Sequence, residues 1–295
     1  MFVELLNIIA PVAIIAALGF IWDRMGLPFD ANMVARLITS IGVPCLIFSI
    51  LLENRPDLHT ISSMATAALF VVGCIALLAG IVLRLAGYPL KVFLPALVFP
   101  NAGNMGIPLC MFAFGDEGLA LSVSFFAVTA LTQFTLGIGI AAGRIGVRDV
   151  IANPVLWATA VALILLINDA ELPRLIKGTV DSFAGIVIPL MLMSLGISLS
   201  RLRPGSLVRS TAFSIARLLI GFVAGYGAAT MLGLDGVARA AVIIQSSMPT
   251  AVFNYLIAAR FNNRPDEVAG IVVVSTAISF LTLPFLLGFA VSLDG

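Results

Sequence analysis

Along this chain apolar residues run for about twenty positions at a time, and short polar clusters separate the runs. The apolar stretches fall at about 4–22, 33–52, 62–86, 90–114, 118–142, 150–167, 179–199, 206–233, 237–260 and 267–291. A helix rises about 1.5 Å per residue, so a run of this length crosses the roughly 30 Å hydrocarbon core of a bilayer. The pattern predicts ten membrane-spanning helices. The connections are short and polar: WDRMGLPFD, ENRPDLH, FGDEG, GRIGVRD, NDAELPRLIKG, SRLRPG and RFNNRPDE. None is long enough for a second domain. An outer-membrane barrel would instead show alternating segments of about ten residues. The first run follows no basic stretch, has no small-residue cleavage site and is too long for a signal-peptide core, so it is read as the first span.

Composition agrees with the pattern. Of 295 residues, 61% are hydrophobic and 11% charged, with a mean hydropathy of +1.15. A soluble domain carries about a quarter charged residues, so lipid is the natural solvent here. A net charge of +1 gives no electrostatic support for a nucleic-acid partner. The basic residues are unevenly placed. Connections after odd-numbered spans carry eleven: Arg24, Arg36, Arg84, Lys91, Arg144, Arg148, Arg201, Arg203, Arg209, Arg260 and Arg264. Those after even-numbered spans carry four, Arg55, Arg174, Lys177 and Arg239. Basic loops stay in the cytoplasm, so both termini are expected outside.

The two halves echo each other. Pro11 matches Pro154 at an offset of 143, Pro44 matches Pro189 at 145, and Pro100 matches Pro249 at 149. Two repeats, 1–145 and 146–295, are predicted, each with five spans. An odd number of spans forces the second copy to enter the membrane upside down. The expected fold class is therefore an all-α integral membrane protein with a 5+5 inverted repeat, a design typical of alternating-access carriers.

Candidate chemistry gathers in spans 4 and 9. Span 4 reads FPNAGNMGIPLCMF, with Pro100, Gly103 and Gly106 weakening the helix beside Asn101 and Asn104. Span 9 reads QSSMPTAVFNY, with Ser247, Thr250 and Asn254 around Pro249. Irregular backbone inside a bilayer survives only where it is buried in protein or lines a cavity. Two broken helices at matching positions are expected to cross near mid-depth. The N-termini of their second halves would then present unpaired N–H groups and about half a positive charge each, a seat for an anion.

Two other deep polar residues stand out. Arg217 lies about 11 residues, or roughly 16 Å, into span 8. A mid-membrane Arg costs about 2.5–3.5 kcal/mol, so it must serve either an anionic substrate or helix-end carbonyls. Gln133 in span 5 is either interhelical glue or a substrate contact. No Asp or Glu lies deep in a span; Glu4 and Asp181 sit near outer ends. Backbone carbonyls at the breaks can hold sodium, which leaves the coupling ion open. Phosphate-loop, HExxH and GxSxG motifs are absent, as is metal-ligand spacing among Cys45, Cys74 and Cys110. His59 is a loop residue. No enzymatic activity and no cofactor are expected.

Taken together, PNAGNMGIPL at 100–109, the FGDEG link, IGVPCLIFS at 41–49, SLGISL after IVIPLMLM, and SSMPTAVFNYLIA at 246–258 resemble the auxin efflux carrier family. The similarity is to its short bacterial branch of malonate- and organic-acid-permease-like proteins. It implies a fold like that of plant auxin carriers and bile-acid sodium symporters. Spans 1, 2, 6 and 7 would form a scaffold that can dimerise, and spans 3–5 and 8–10 a mobile transport domain. Spans 4 and 9 would cross at Pro100 and Pro249, and an elevator-like movement would carry the site across.

The expected function is secondary transport of a small organic anion in a bacterial inner membrane. Pro100, Asn101, Asn104, Gln133, Ser247, Pro249, Thr250 and Asn254 would form the binding site, with Arg217 acting at longer range. The rival readings are a sodium-coupled bile-acid-type symporter and a membrane receptor or sensor that binds without transporting.

Overall fold

A computed structural model describes residues 2–55, 57–144, 151, 154–170, 172–202 and 205–292. Arg148, Arg203, the join of the two halves at 145/146 and both chain ends lie outside the described residues, as does the Glu4 side chain. All regular structure among the described residues is helical. The helices are α1 (Phe2–Arg24), α2 (Ala31–Leu37), α3 (Val43–Asn54), α4 (Leu58–Leu85), α5 (Leu90–Val98), α6 (Ile107–Thr132), α7 (Ile138–Ala142), α8 (Pro154–Ile167), α9 (Arg174–Arg201), α10 (Leu207–Met231), α11 (Gly236–Ser246), α12 (Val252–Arg260) and α13 (Pro265–Val291). Three π-helical turns, Ile38–Gly42, Ala102–Gly106 and Gln133–Gly137, lie between neighbouring helices. Seven stretches among the described residues are long and apolar enough to cross a membrane.

Local signals account for the helix ends. Asp57 caps α4 by accepting from the Thr60 amide. Gly87, at φ +73°, closes the other end, with the Tyr88 amide donating to the Leu83 carbonyl at 2.8 Å. Pro265 opens α13, and Asp266 and Glu267 in its first turn favour the positive helix end.

The stretch Ala102–Ala142 has 41 residues. As one rod it would be about 60 Å long, twice the hydrocarbon thickness. It is not one rod. Gly115, at φ 62° and ψ −144°, leaves helical space in the middle of α6, a conformation open essentially to glycine. The chain doubles back there. Gln245 bridges the two arms: its Nε2 donates to the Ser122 carbonyl at 3.2 Å, while its Oε1 lies against Gly106. In a straight helix, Gly106 and Ser122 would be about 24 Å apart. The FGDEG segment expected as a loop is thus a one-residue break inside helix.

Two packed groups emerge. α1, α3, α8 and α9 pack on one another. α4, α5, α6, α10, α11 and α13 form a second set, which meets the first mainly through α6. The α1–α9 contact is made backbone to backbone. A Cβ at Gly196 would collide with the Ala16 carbonyl, and one at Gly19 with the Met193 carbonyl.

Hydrogen bonds sort the connections onto faces. Arg201 Nε pairs with Asp23 at 2.7 Å and its Nη2 donates to the Phe29 carbonyl at 3.1 Å. The Gly205 amide donates to Asp266 at 3.0 Å, Arg209 pairs with Glu267, and Asn263 Nδ2 donates to Ala141 at 2.9 Å and Lys91 at 3.4 Å. At another face Arg55 pairs with Asp169 at 3.2 Å and the Ser49 hydroxyl donates to Asp181 at 2.6 Å.

The close glycine contact carries a prediction. Gly196→Val forces α1 and α9 apart and costs about 1–3 kcal/mol. The purified variant should therefore lose its monodisperse form at a lower temperature than wild type in the same detergent. An unchanged melting profile would show that the contact is not held.

Candidate functional site

Both expected breaks are present, and they meet. α5 ends at Val98 and the π turn begins at Ala102; α11 ends at Ser246 and α12 begins at Val252. Between them Pro100 and Thr250 form an isolated antiparallel bridge. The Asn101 amide donates to the Pro249 carbonyl at 2.7 Å, and the Ala251 amide donates to the Phe99 carbonyl at 3.2 Å. Inside a bilayer neither segment has water to pair with, so each satisfies the other. The first break is shorter than the glycines suggest: Gly103 and Gly106 belong to the π turn that follows it.

Side chains complete the crossing. The Thr250 hydroxyl donates to the Ala96 carbonyl at 2.8 Å, and the Thr250 amide donates to Ser275 Oγ at 3.1 Å. Asn254 Nδ2 donates to the Phe99 carbonyl at 3.1 Å, while its Oδ1 accepts from Gln133 Nε2 at 3.1 Å. Gln133 thus ties the third π turn to the crossing.

A small cavity of about 20 Å³ lies beside the bridge, room for about one water. Its lining includes Pro100, Asn101, Gly103 and Asn104 from the N-terminal end of one second half-helix, and Ala251 and Phe253 from the other. Both positive helix ends therefore face the same space. Thr39, Gln133 and Phe134 contribute from the other two π turns, and Phe126, Val155 and Met191 close the wall. All three π turns thus converge on one cavity, and such turns recur at functional sites. Asn101 is 3% exposed, and its Nδ2 has no hydrogen-bond partner among the described residues. A larger cavity of about 300 Å³ shares Ile38, Asn104 and Phe253 with the first and extends to Ser198 and Arg201.

The structure brings Pro100, Asn101, Asn104 and Gln133 to the cavity, with Asn254, Thr250 and Pro249 directly behind it. Ser247 lies elsewhere. Its hydroxyl donates to the Ile243 carbonyl at 2.6 Å, and it lines a separate groove with Phe222, Thr282 and Phe285. Arg217 is fully buried, and its Nη2 donates to the carbonyl of Ser246, the last residue of α11, at 2.8 Å. It does not line the cavity.

The sequence reading missed the apolar wall and Thr39. A signal for two of the π turns was present: each ends on the glycine of a Gly-x-Pro, Gly42-Val-Pro44 and Gly106-Ile-Pro108. Proline lacks an N–H and crowds the carbonyl four residues back, Ser40 and Asn104, which favours a wider turn there.

The two asparagines should separate in a thermal-unfolding assay. Asn254→Ala strands the buried Gln133 amide and leaves the Phe99 carbonyl with only its bond from the Ala251 amide, and should cost about 1–3 kcal/mol. Asn101→Ala removes an amide nitrogen that bonds nothing among the described residues and should melt close to wild type. Equal losses would mean that Asn101 is part of the crossing's support.

The sequence model of the family described as "Membrane transport protein" matches residues 5–149 and again 143–287, one stretch in each half of the chain. A protein of Methanothermobacter thermautotrophicus named as an uncharacterized transporter is 29% identical over 289 residues, covering 92% of this chain and 94% of its own length. Another so named, from Methanocaldococcus jannaschii, is 22% identical over 298 residues, covering 94% of this chain and 96% of its own. These relatives are transporters rather than enzymes. With a helical membrane body and family matches that together span nearly its whole length, the chain belongs to the membrane transport protein family.

Proposed function

We propose that the chain is a secondary carrier for a small organic anion, a carboxylate, working by an elevator-like movement. The observation that carries this reading is the Pro100–Thr250 bridge, which aims two half-helix N-termini at one uncharged, mostly apolar cavity that also holds Thr39, Asn101, Asn104 and Gln133. A carboxylate would accept hydrogen bonds from those helix-start amides and from Asn101 Nδ2, with Asn104 and Gln133 beside it. Pro100 and Pro249 would shape the seat, and Thr250 and Asn254 would hold the crossing behind it. Ser247 is not part of this contact set.

The proposed passage count is ten. α1, α2–α3, α4 and α5 to Phe114 would be the first four, and Asp116 to α7 the fifth. α8, α9, α10, α11–α12 and α13 would complete an inverted second set. The repeats would be 1–145 and 146–295. Support comes from the local two-fold of the bridge, which exchanges Phe99 with Pro249 and Asn101 with Ala251, and from a family match in each half. The set containing α1, α3, α8 and α9 would be the scaffold, and a second copy of the chain could dimerise through it. The other set would carry the site across.

The protein would be a multi-pass plasma-membrane protein with both termini outside. The 300 Å³ cavity leads from the site to Arg201, on the face that also gathers Asp23, Lys91 and Glu267. By the bias of basic residues that face is cytoplasmic, so the conformation described is open to the inside.

Counterflow in proteoliposomes tests the carrier. A panel of mono- and dicarboxylates should include one whose labelled form accumulates against preloaded unlabelled substrate. Asn101→Ala should cut that uptake about tenfold, the loss of roughly 1.4 kcal/mol of binding, while its melting temperature stays near wild type. Saturable binding without counterflow would replace the carrier with a sensor. Full uptake by Asn101→Ala would remove the site.

A further inference from the structure

The crossing has carbonyl ends as well as amide ends, and one of them is already supplied with a charge. In a broken membrane helix, the C-terminal end of the first half and the unwound carbonyls after it are where carriers hold coupling cations. Here that end is Ser246, the last residue of the half-helix Gly236–Ser246. The Arg217 guanidinium meets it, with Nη2 2.8 Å from the Ser246 carbonyl. Gly221 and Gly225 press α10 onto the same residue, because a Cβ at either would collide with Ser246. The Arg217 side chain is fully buried. Its Nε and Nη1 have no hydrogen-bond partner, and no carboxylate pairs with it, among the described residues.

Three hydroxyls on α10 and α13 are neutral and engaged with backbone groups. The Ser214 hydroxyl donates to the Ile271 carbonyl at 3.2 Å, the Thr276 hydroxyl to the Val272 carbonyl at 2.7 Å, and Ser275 Oγ accepts from the Thr250 amide. A buried charge in lipid needs a compensating partner, and the partner available to Arg217 is the negative end of a helix dipole. The same reasoning leaves no place for a second cation. A sodium ion at Ser246 would sit against a fixed positive charge with no carboxylate to offset either.

We propose that Arg217 is a tethered internal cation that neutralises the carbonyl end of the crossing in place of a coupling sodium ion, so that this carrier works without sodium. The proposal rests on the carrier reading for its functional half and on the geometry at Ser246 for its structural half. Arg217 acts here as a positioning residue and not as a substrate ligand.

The test compares wild type, Arg217→Lys and Arg217→Gln in sodium, potassium and choline chloride. Thermal unfolding is followed in detergent, and carboxylate counterflow in proteoliposomes. Wild type and the lysine variant should melt alike and transport alike in all three salts. The glutamine variant should lose uptake about tenfold in choline and melt several degrees higher in sodium than in choline, because a free cation then fills the vacated place. Wild-type melting or uptake that rises in sodium over potassium overturns the proposal. So does a folded glutamine variant that is indifferent to sodium or keeps full uptake in choline. Should that variant not fold, the wild-type salt comparison decides alone. A wild type that melts alike in every salt yet transports no carboxylate in any of them defeats the carrier reading and leaves the charge assignment to the melting data.

Discussion

A backbone amide or carbonyl inside a bilayer must find its partner within the protein. This constraint organises the centre of the molecule. Two helices stop at Val98 and Ser246, and each stop frees main-chain groups that lipid cannot satisfy. The two breaks satisfy each other, amide to carbonyl in both directions at Asn101–Pro249 and Ala251–Phe99. What remains is met by side chains: Thr250 on Ala96, Asn254 on Phe99, Ser275 on Thr250. Any displacement of one break would strand groups on the other, so both are held at one depth and one distance.

That pairing also separates charge. Helix starts face the cavity, and a helix end faces Arg217. The positive ends of the interrupted helices are thus used at the cavity, and a negative end is used at Arg217, outside its lining. Glycines make the arrangement compact. Each π turn ends on one, and each presses on a neighbour: Gly42 on Val187, Gly106 on Gln245, Gly137 on Phe99. A wider turn followed by a side-chain-free position lets the wall approach the bridge without a clash.

Much of this was legible in the sequence, for physical reasons. Prolines, glycines and amides all destabilise a lipid-facing helix, so their density at 100–106 and 245–254 marked the breaks. The register of the pairing was not legible. Matching the prolines equates Pro100 with Pro249, whereas the bridge pairs Pro100 with Thr250, its bonds running from the Asn101 and Ala251 amides. Ser247 looked like a site residue because it is polar and near a break, yet its hydroxyl turns back onto its own helix, as serine readily does. The apolar wall of Phe126, Phe134, Phe253 and Met191 carried no signal, since such residues are everywhere in a membrane protein. Gln133 was visible as an anomaly, but only the structure shows that it reaches Asn254.

The bonds that join the two breaks are made by main-chain atoms, and that has an evolutionary consequence. No substitution can delete a peptide N–H except one to proline, so the joint survives nearly any change in the residues that surround it. The wall of the cavity is built from other atoms entirely. Descendants of such a chain can exchange wall residues and acquire new cargo while inheriting the same joint, which would let a lineage diversify its chemistry far faster than its shape.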